Sequence, residues 1–317
     1  MALPQVSQRT VQADGDRQQI DVVVPSVGAN GQPDNLVKAT LHRSLGPGRK
    51  RLVIVLPIWG SSKYPSNRVI RRLLGGPDRH RTHVLVVHGE RALFDWDGMG
   101  ASRDEAELQA SVEETTRRFQ NTVMDIRRLI TWAESHGDVD AGRIGLVGFS
   151  MGALVGSLVM GQDERLAAGV FVMAGAHLHE IFASCRGRPG DARHAVLQRF
   201  GWSAETFGRK VESGLAPINP ARFGVNIHPS RALFVDASLD HCMPESSREG
   251  FWEALGRPER ISLTYGHKVA FLSMTPLGFH YTTRRIIEFL DRLLLAETSA
   301  PEAGSGGPQT AVASPVR

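Results

Sequence analysis

The chain has 317 residues, 41% hydrophobic and 22% charged, with a net charge of +4 and a sequence pI near 9.4. That composition fits one large globular domain or two small ones and excludes low-complexity, collagen-like and disulfide-dense chains. Only Cys185 and Cys242 are present, so no disulfide framework is expected: two reduced thiols are the main reading and a single bridge the other. The first residues lack a basic start followed by an apolar run, and nowhere do about 18 apolar residues run together, so a cytoplasmic protein without a membrane partner is expected. Arginines are mostly interleaved with acids. The clusters Arg49, Lys50, Arg51 and Arg68, Arg71, Arg72 read as solvated faces, and no nucleic-acid partner is expected.

Residues 1 to 48 mix alternating stretches (20–24 and 36–41) with turn residues, which points to an antiparallel hairpin at a sheet edge, part of the same domain. RLVIVL at 51–56 is a continuous apolar strand ended by Pro57, and helical spacing follows over 66–74 behind a Ser66 cap. HVLVV at 83–87 is a second buried strand, followed by a long loop through Gly100. Residues 110–135 hold the strongest helix, with Phe119, Val123, Ile126, Leu129, Ile130 and Trp132 three and four apart. A strand at 144–147, a helix at 153–160 and a strand at 168–173 come next. Residues 176–228 lose this rhythm and read as a small lid insertion of short arginine-rich pieces above the sheet. A strand at 232–235, a helix at 246–255, a strand at 261–264 and a helix at 279–295 close a domain over 49–296, and 297–317 reads as a disordered tail. Strands buried on both faces and separated by helices make an α/β fold, a mostly parallel sheet covered on both sides. Chemistry in such sheets gathers at the carboxyl ends of strands.

At one such end, RIGLVGFSMGA (143–153) sets Ser150 between Gly148 and Gly152. A serine at the apex of a tight strand-to-helix turn crowds the residues two before and two after it, so that only glycine fits there. The plain alternative is a strand-to-helix connection with an incidental serine.

With DIRRLITW at 125–132, DVD at 138–140 and DWDGMGAS at 95–102, this stretch resembles α/β-hydrolases of the dienelactone hydrolase and acetyl xylan esterase type, over roughly residues 20 to 295. Ala153 is a mild departure, where a third glycine is common. The resemblance implies an α/β-hydrolase fold and the chain order Ser, acid, His. Ser150 is then the nucleophile. LFVDASLDHCMP (233–244) offers two acids; the family's spacing, four residues before the proline, favours Asp240, with Asp236 as the alternative and more simply a loop-capping group. TYGH (264–267) supplies His267 as base, with His280 in reserve and His241 taken as structural. The oxyanion donors implied are the amides of Met151 and of Trp59, with Ile58 next; VVHG (86–89) has a superficially fitting His-Gly but the wrong rank among the strands. Trp59, Phe182 and Trp202 are candidates to line a substrate pocket, while Arg186, Arg188, Arg193 and Arg199 make the lid suit a soluble, anionic substrate better than a lipid. No H-E-x-x-H, C-x-x-C or phosphate loop occurs, so no metal and no cofactor is expected. The function implied is hydrolysis of a small carboxylic ester with a short or medium acyl group through an acyl-serine intermediate. A peptidase of prolyl-oligopeptidase type and a non-catalytic binding protein on the same fold are the alternatives.

Overall fold

The computed structural model of the chain describes residues 6–28, 35–59, 64–89 and 92–295; the tail expected from 297 lies outside them. Three antiparallel strands, β1 (Ser7–Asp14), β2 (Arg17–Pro25) and β3 (Leu36–Ser44), come first. The expected hairpin is the β2–β3 pair. Strand β1, whose SQRTVQAD has no apolar alternation to mark it, adds to its outer edge. There follow β4 (Lys50–Leu56), α1 (Ser66–Gly75), β5 (Thr82–Val87), α2 (Trp96–Ala101), α3 (Glu105–Glu134), β6 (Val139–Phe149), α4 (Met151–Met160) and β7 (Leu166–Val172). The segment read as a lid contributes α5 (Leu178–Ser184), α6 (Arg188–Phe200), α7 (Ala204–Leu215) and α8 (Pro220–Gly224). The chain closes with β8 (Ala232–Ala237), α9 (Glu245–Ala254), β9 (Glu259–Leu263), α10 (His267–Ala270) and α11 (Tyr281–Leu294).

The nine strands form one sheet in the order β1-β2-β3-β5-β4-β6-β7-β8-β9, parallel from β5 to β9 and antiparallel from β1 to the β3–β5 pair. Every residue of β4 and β8 is buried, which is why 52–56 and 232–235 are unbroken apolar runs rather than alternating ones. One face of the sheet packs against α3, α4 and α9, the other against α1 and α11. Helix α3 runs 30 residues, about 45 Å. The Asp104 side chain caps it by accepting from the Glu107 amide, and the stripe Phe119, Val123, Ile126 and Ile130 is buried. No side chain caps α1: Pro65 occupies the cap position and Ser66 is already helical.

Two members of a cluster read as solvated are not. Lys50 and Arg51 are each 3% exposed at the start of β4. The Lys50 ammonium donates to the carbonyls of Gly46 and Gly48, and Arg51 donates to Thr82 Oγ1 (2.9 Å) and Asp291 (2.6 Å). Cations at a strand start are accommodated here because carbonyls of the preceding turn and side chains of neighbouring elements point at them.

From β4 the chain steps outward to β5, then returns across β4 to β6 on its other side. At such a reversal the connections leaving the two central strands diverge and open a crevice at their carboxyl ends. Helix α1, after β4, packs on one face and α4, after β6, on the other.

Candidate active site

Strand β6 ends at Phe149 and α4 begins at Met151, so Ser150 alone makes the turn, with φ 49° and ψ −116°. A non-glycine residue held there costs about 1–3 kcal/mol. The strained turn is pinned by the Ser150 amide donating to the Val172 carbonyl at 2.7 Å. A Cβ on Gly148 would lie 2.4 Å from the Gly152 carbonyl, and one on Gly152 would lie 2.4 Å from the Pro57 carbonyl. Both glycines are therefore demanded by the turn that lifts Ser150 above the sheet.

Asp240 and His267 come to this serine from loops after β8 and β9. His267 Nε2 is 3.0 Å from Ser150 Oγ, and its Nδ1 is 2.5 Å from Asp240 Oδ2. A carboxylate only accepts, so Nδ1 carries the proton and Nε2 presents its lone pair to the hydroxyl. Asp240 is buried, and its Oδ1 accepts from the amides of Cys242 (2.8 Å) and Met243 (3.1 Å), which aims Oδ2 at the imidazole.

The other acid and base candidates lie elsewhere. Asp236 is fully buried inside β8, accepting from Arg248 Nε at 3.1 Å and Arg260 Nη2 at 2.8 Å. It is the anchor of an ion network rather than a loop cap. The remaining Arg248 nitrogens donate to the carbonyls of Met243 (2.7 Å) and Ser238 (3.2 Å), clamping both ends of the turn that carries Asp240. Burial alone would lower the Arg260 pKa, but hydrogen bonds to Asp236 and Glu249 outweigh it and raise it. His280 Nδ1 bonds the Met274 carbonyl, His241 is exposed, and His88 bonds Thr40 on the β3 side of the sheet.

A cavity of about 360 Å³ opens beside Ser150, with Trp59, Met151 and Phe182 in its lining. Strand β4 pairs directly with β6, Leu56 against Gly148, so residues 57–59 border the start of α4. β5 is one strand further out, and Gly89 after it lies against Trp59: a Cβ there would come 3.0 Å from the Trp59 ring. Trp202 does not line the cavity. It stacks on Phe200 (4.7 Å) with the Lys210 ammonium 5.3 Å over its ring, half-buried against the core. Phe94 and Trp96, which sequence reasoning passed over, supply the aromatic wall instead, their rings and that of Phe182 lying 4.6–5.1 Å apart. Their signal was present in LFDW, two aromatics just ahead of the glycine motif.

The four arginines of the segment read as a lid divide in two. Arg193 donates to the carbonyls of Phe182 and Cys185, and Arg199 to those of Gly100 and Ser102, so both brace backbone. Arg186 and Arg188 are exposed at the cavity. Cys185 and Cys242 form a disulfide, correcting the expectation of two reduced thiols. It ties the end of α5 to the Asp240 turn across 57 residues, a constraint on the unfolded chain of about 4 kcal/mol in a chain-entropy account. It also removes cysteine state as an argument for a reducing compartment. Among the described residues no group of His, Cys, Asp or Glu is placed to hold a metal ion, and no helix is long and apolar enough to cross a membrane.

No protein-family model matches the chain. An uncharacterised protein of Mycobacterium tuberculosis, in strains H37Rv and CDC 1551, is 28% identical over 192 residues, 60% of this chain and 42% of that protein. This chain thus spans less than half the length of the curated relative it matches. Among solved structures, an acetyl xylan esterase from Paenibacillus sp. R4 superposes with a TM-score of 0.62 at 17% identity, over 92% of this chain and 89% of that one. Acetyl xylan esterase 1 from Thermoanaerobacterium sp. JW/SL YS485 gives 0.63 at 14%, over 92% and 88%. An esterase from Pyrococcus furiosus gives 0.56 at 19%, over 90% and 97%. The sheet order, the turn at Ser150 and these superpositions make the fold that of the α/β-hydrolases, as in the acetyl xylan esterases.

Proposed function

We propose that the protein hydrolyses a carboxylic ester of a short or medium acyl group through an acyl-serine intermediate. One observation carries this reading: a hydroxyl, an imidazole and a buried carboxylate stand in line, at 3.0 and 2.5 Å, beside an aromatic cavity. That the superposed structures are esterases by name supports an ester as the bond cleaved. As Ser150 Oγ attacks the carbonyl carbon, His267 takes its proton and Asp240 stabilises the imidazolium. The carbonyl oxygen, now an anion, accepts hydrogen bonds from the amides of Met151, at the start of α4, and Trp59. His267 then gives its proton to the departing alcohol. Water, deprotonated by the same ring, attacks the acyl-serine and releases the acid. A cavity of about 360 Å³ lies at the small end of ligand sites and leaves little room for a long chain. Arg186 and Arg188 at the cavity favour a substrate bearing a negative charge. A series of p-nitrophenyl esters tests the reading: kcat/KM should peak at short or medium chains, with no jump when the substrate aggregates. Activity rising through the longest chains, with activation at a lipid surface, would overturn it.

A further inference from the structure

On the flank of the sheet away from the cavity, α1 presents Arg68, Arg71 and Arg72, spaced three and four apart and so on one face. Across a cleft of about 340 Å³ they meet Phe279, His280, Thr283 and Arg284 at the start of α11. None of these four arginines has a carboxylate partner among the described residues; Arg68 lies only over the Tyr64 ring, at 5.9 Å. No acid occurs between residues 64 and 77 or between 260 and 287. Like charges three and four apart on a helix repel, and the fold gains nothing from leaving them unpaired.

Phe279, in the lining of the cleft, and Leu277, two residues before it, are the most exposed large hydrophobic residues among those described, at 82% and 80%. They sit on a braced turn, not a loose one. Phe279 and His280 both have φ of 52°, the Phe279 amide donates to Pro276, the His280 amide to Thr275, and the His280 ring bonds the Met274 carbonyl. The chain spends backbone strain to aim two apolar side chains outward, next to four cations.

We propose that this face docks on an anionic lipid bilayer, with Leu277 and Phe279 entering the boundary between headgroups and acyl chains and Arg68, Arg71, Arg72 and Arg284 meeting lipid phosphates. A second copy is the poorer occupant, because a two-fold contact sets this patch against itself, arginines against arginines. A free phosphate is poorer too, since it uses the cations and leaves the protruding side chains in water. The surface was invisible in sequence, its two halves being about two hundred residues apart. It stands independently of which ester is cleaved.

The test is co-sedimentation of the full chain with phosphatidylcholine vesicles, with and without phosphatidylglycerol, read against Arg71→Gln/Arg72→Gln and Phe279→Ser. Binding is expected only to the anionic vesicles. It should fall about 25-fold in the double arginine variant, at roughly fivefold per arginine, and about tenfold or more in Phe279→Ser. Equal binding to neutral vesicles, no binding to anionic ones, or unchanged binding of both variants overturns the proposal. So does pyrophosphate binding that depends on the same arginines without vesicle binding, which makes this a soluble-anion site. A dimer in sedimentation velocity that Phe279→Ser dissociates makes it a self-interface, and an acidic peptide competing where vesicles fail makes it a protein-docking face.

Discussion

Two histidine–aspartate pairs sit at opposite ends of the sheet. At the carboxyl end, His267 faces Asp240 at 2.5 Å, is 19% exposed, and has the Ser150 hydroxyl 3.0 Å from its other nitrogen. At the amino end, His83, the second residue of β5, faces Asp138, just before β6, at 3.4 Å; it is 1% exposed, and its Nδ1 accepts the Ser44 amide. Burial pushes the His83 pKa down to about 4 against the pull of Asp138, so this imidazole is held neutral as part of the structure. The residue types are the same. What differs is the backbone around them: at the carboxyl end the connections part, leave a crevice, and set the Ser150 hydroxyl in it, whereas at the amino end the strand starts close over the ring. A histidine beside an aspartate is therefore no evidence of chemistry until its second nitrogen has something to act on.

The sharpest break between the two pairs is in turnover. Ser150→Ala, His267→Ala and Asp240→Asn should each lower kcat by about 10⁴ or more, while His83→Asn leaves it near the wild-type value. Adding Asp240→Asn to His267→Ala should cost far less than Asp240→Asn alone. Losses that multiply would show that the two do not act together.

Next in size is an effect on folding. Sequence alone reads Asp236 as a loop-capping group, but it is the buried partner of Arg248 and Arg260, and removing its charge leaves Arg248 without a carboxylate and Arg260 with Glu249 alone. Urea denaturation should show a loss of about 3–5 kcal/mol. An unchanged midpoint would mean that the network does not hold the Asp240 turn.

A smaller effect concerns the two classes of lid arginine at the carboxyl end. Arg186→Ala with Arg188→Ala should lower kcat/KM about tenfold for an ester with a carboxylate on its acyl group and leave a neutral analogue unaffected. Arg193→Ala should instead lower the melting temperature. Equal losses on charged and neutral esters would remove the argument for an anionic substrate.

The last expected effect belongs to the amino end. The folded pKa of His83, about 4, lies below the unfolded value of about 6.5, so the unfolded chain binds more protons between them. Stability from this site is complete above pH 6.5 and declines as pH falls towards 4, by at most about 1.4 kcal/mol per pH unit. His83→Asn keeps an acceptor for the Ser44 amide and should flatten this decline in thermal melts. Parallel pH profiles of wild type and variant would contradict the assignment.

How much of this was legible in sequence follows from how local each signal is. The strands of the parallel half and the turn at Ser150 are written in short runs whose meaning depends only on neighbours, so their succession could be read from the sequence, whereas the grouping of Asp240 and His267 with Ser150 was what the family resemblance implied. Strand β1 was missed because an edge strand buries too little to be patterned. Trp202 was misplaced because an aromatic in a lid does not reveal which way its helix faces. The Cys185–Cys242 bridge and the Arg248 clamp depend on contacts between distant segments. Nothing within either segment marks them.

The central claim is that Ser150 is a nucleophile activated by His267. The most direct test is to treat the folded chain with a fluorophosphonate and to read intact mass and peptide maps. One adduct, on Ser150, is expected, absent in Ser150→Ala and formed far more slowly in His267→Ala. An unlabelled folded protein, or label on another residue, would contradict it.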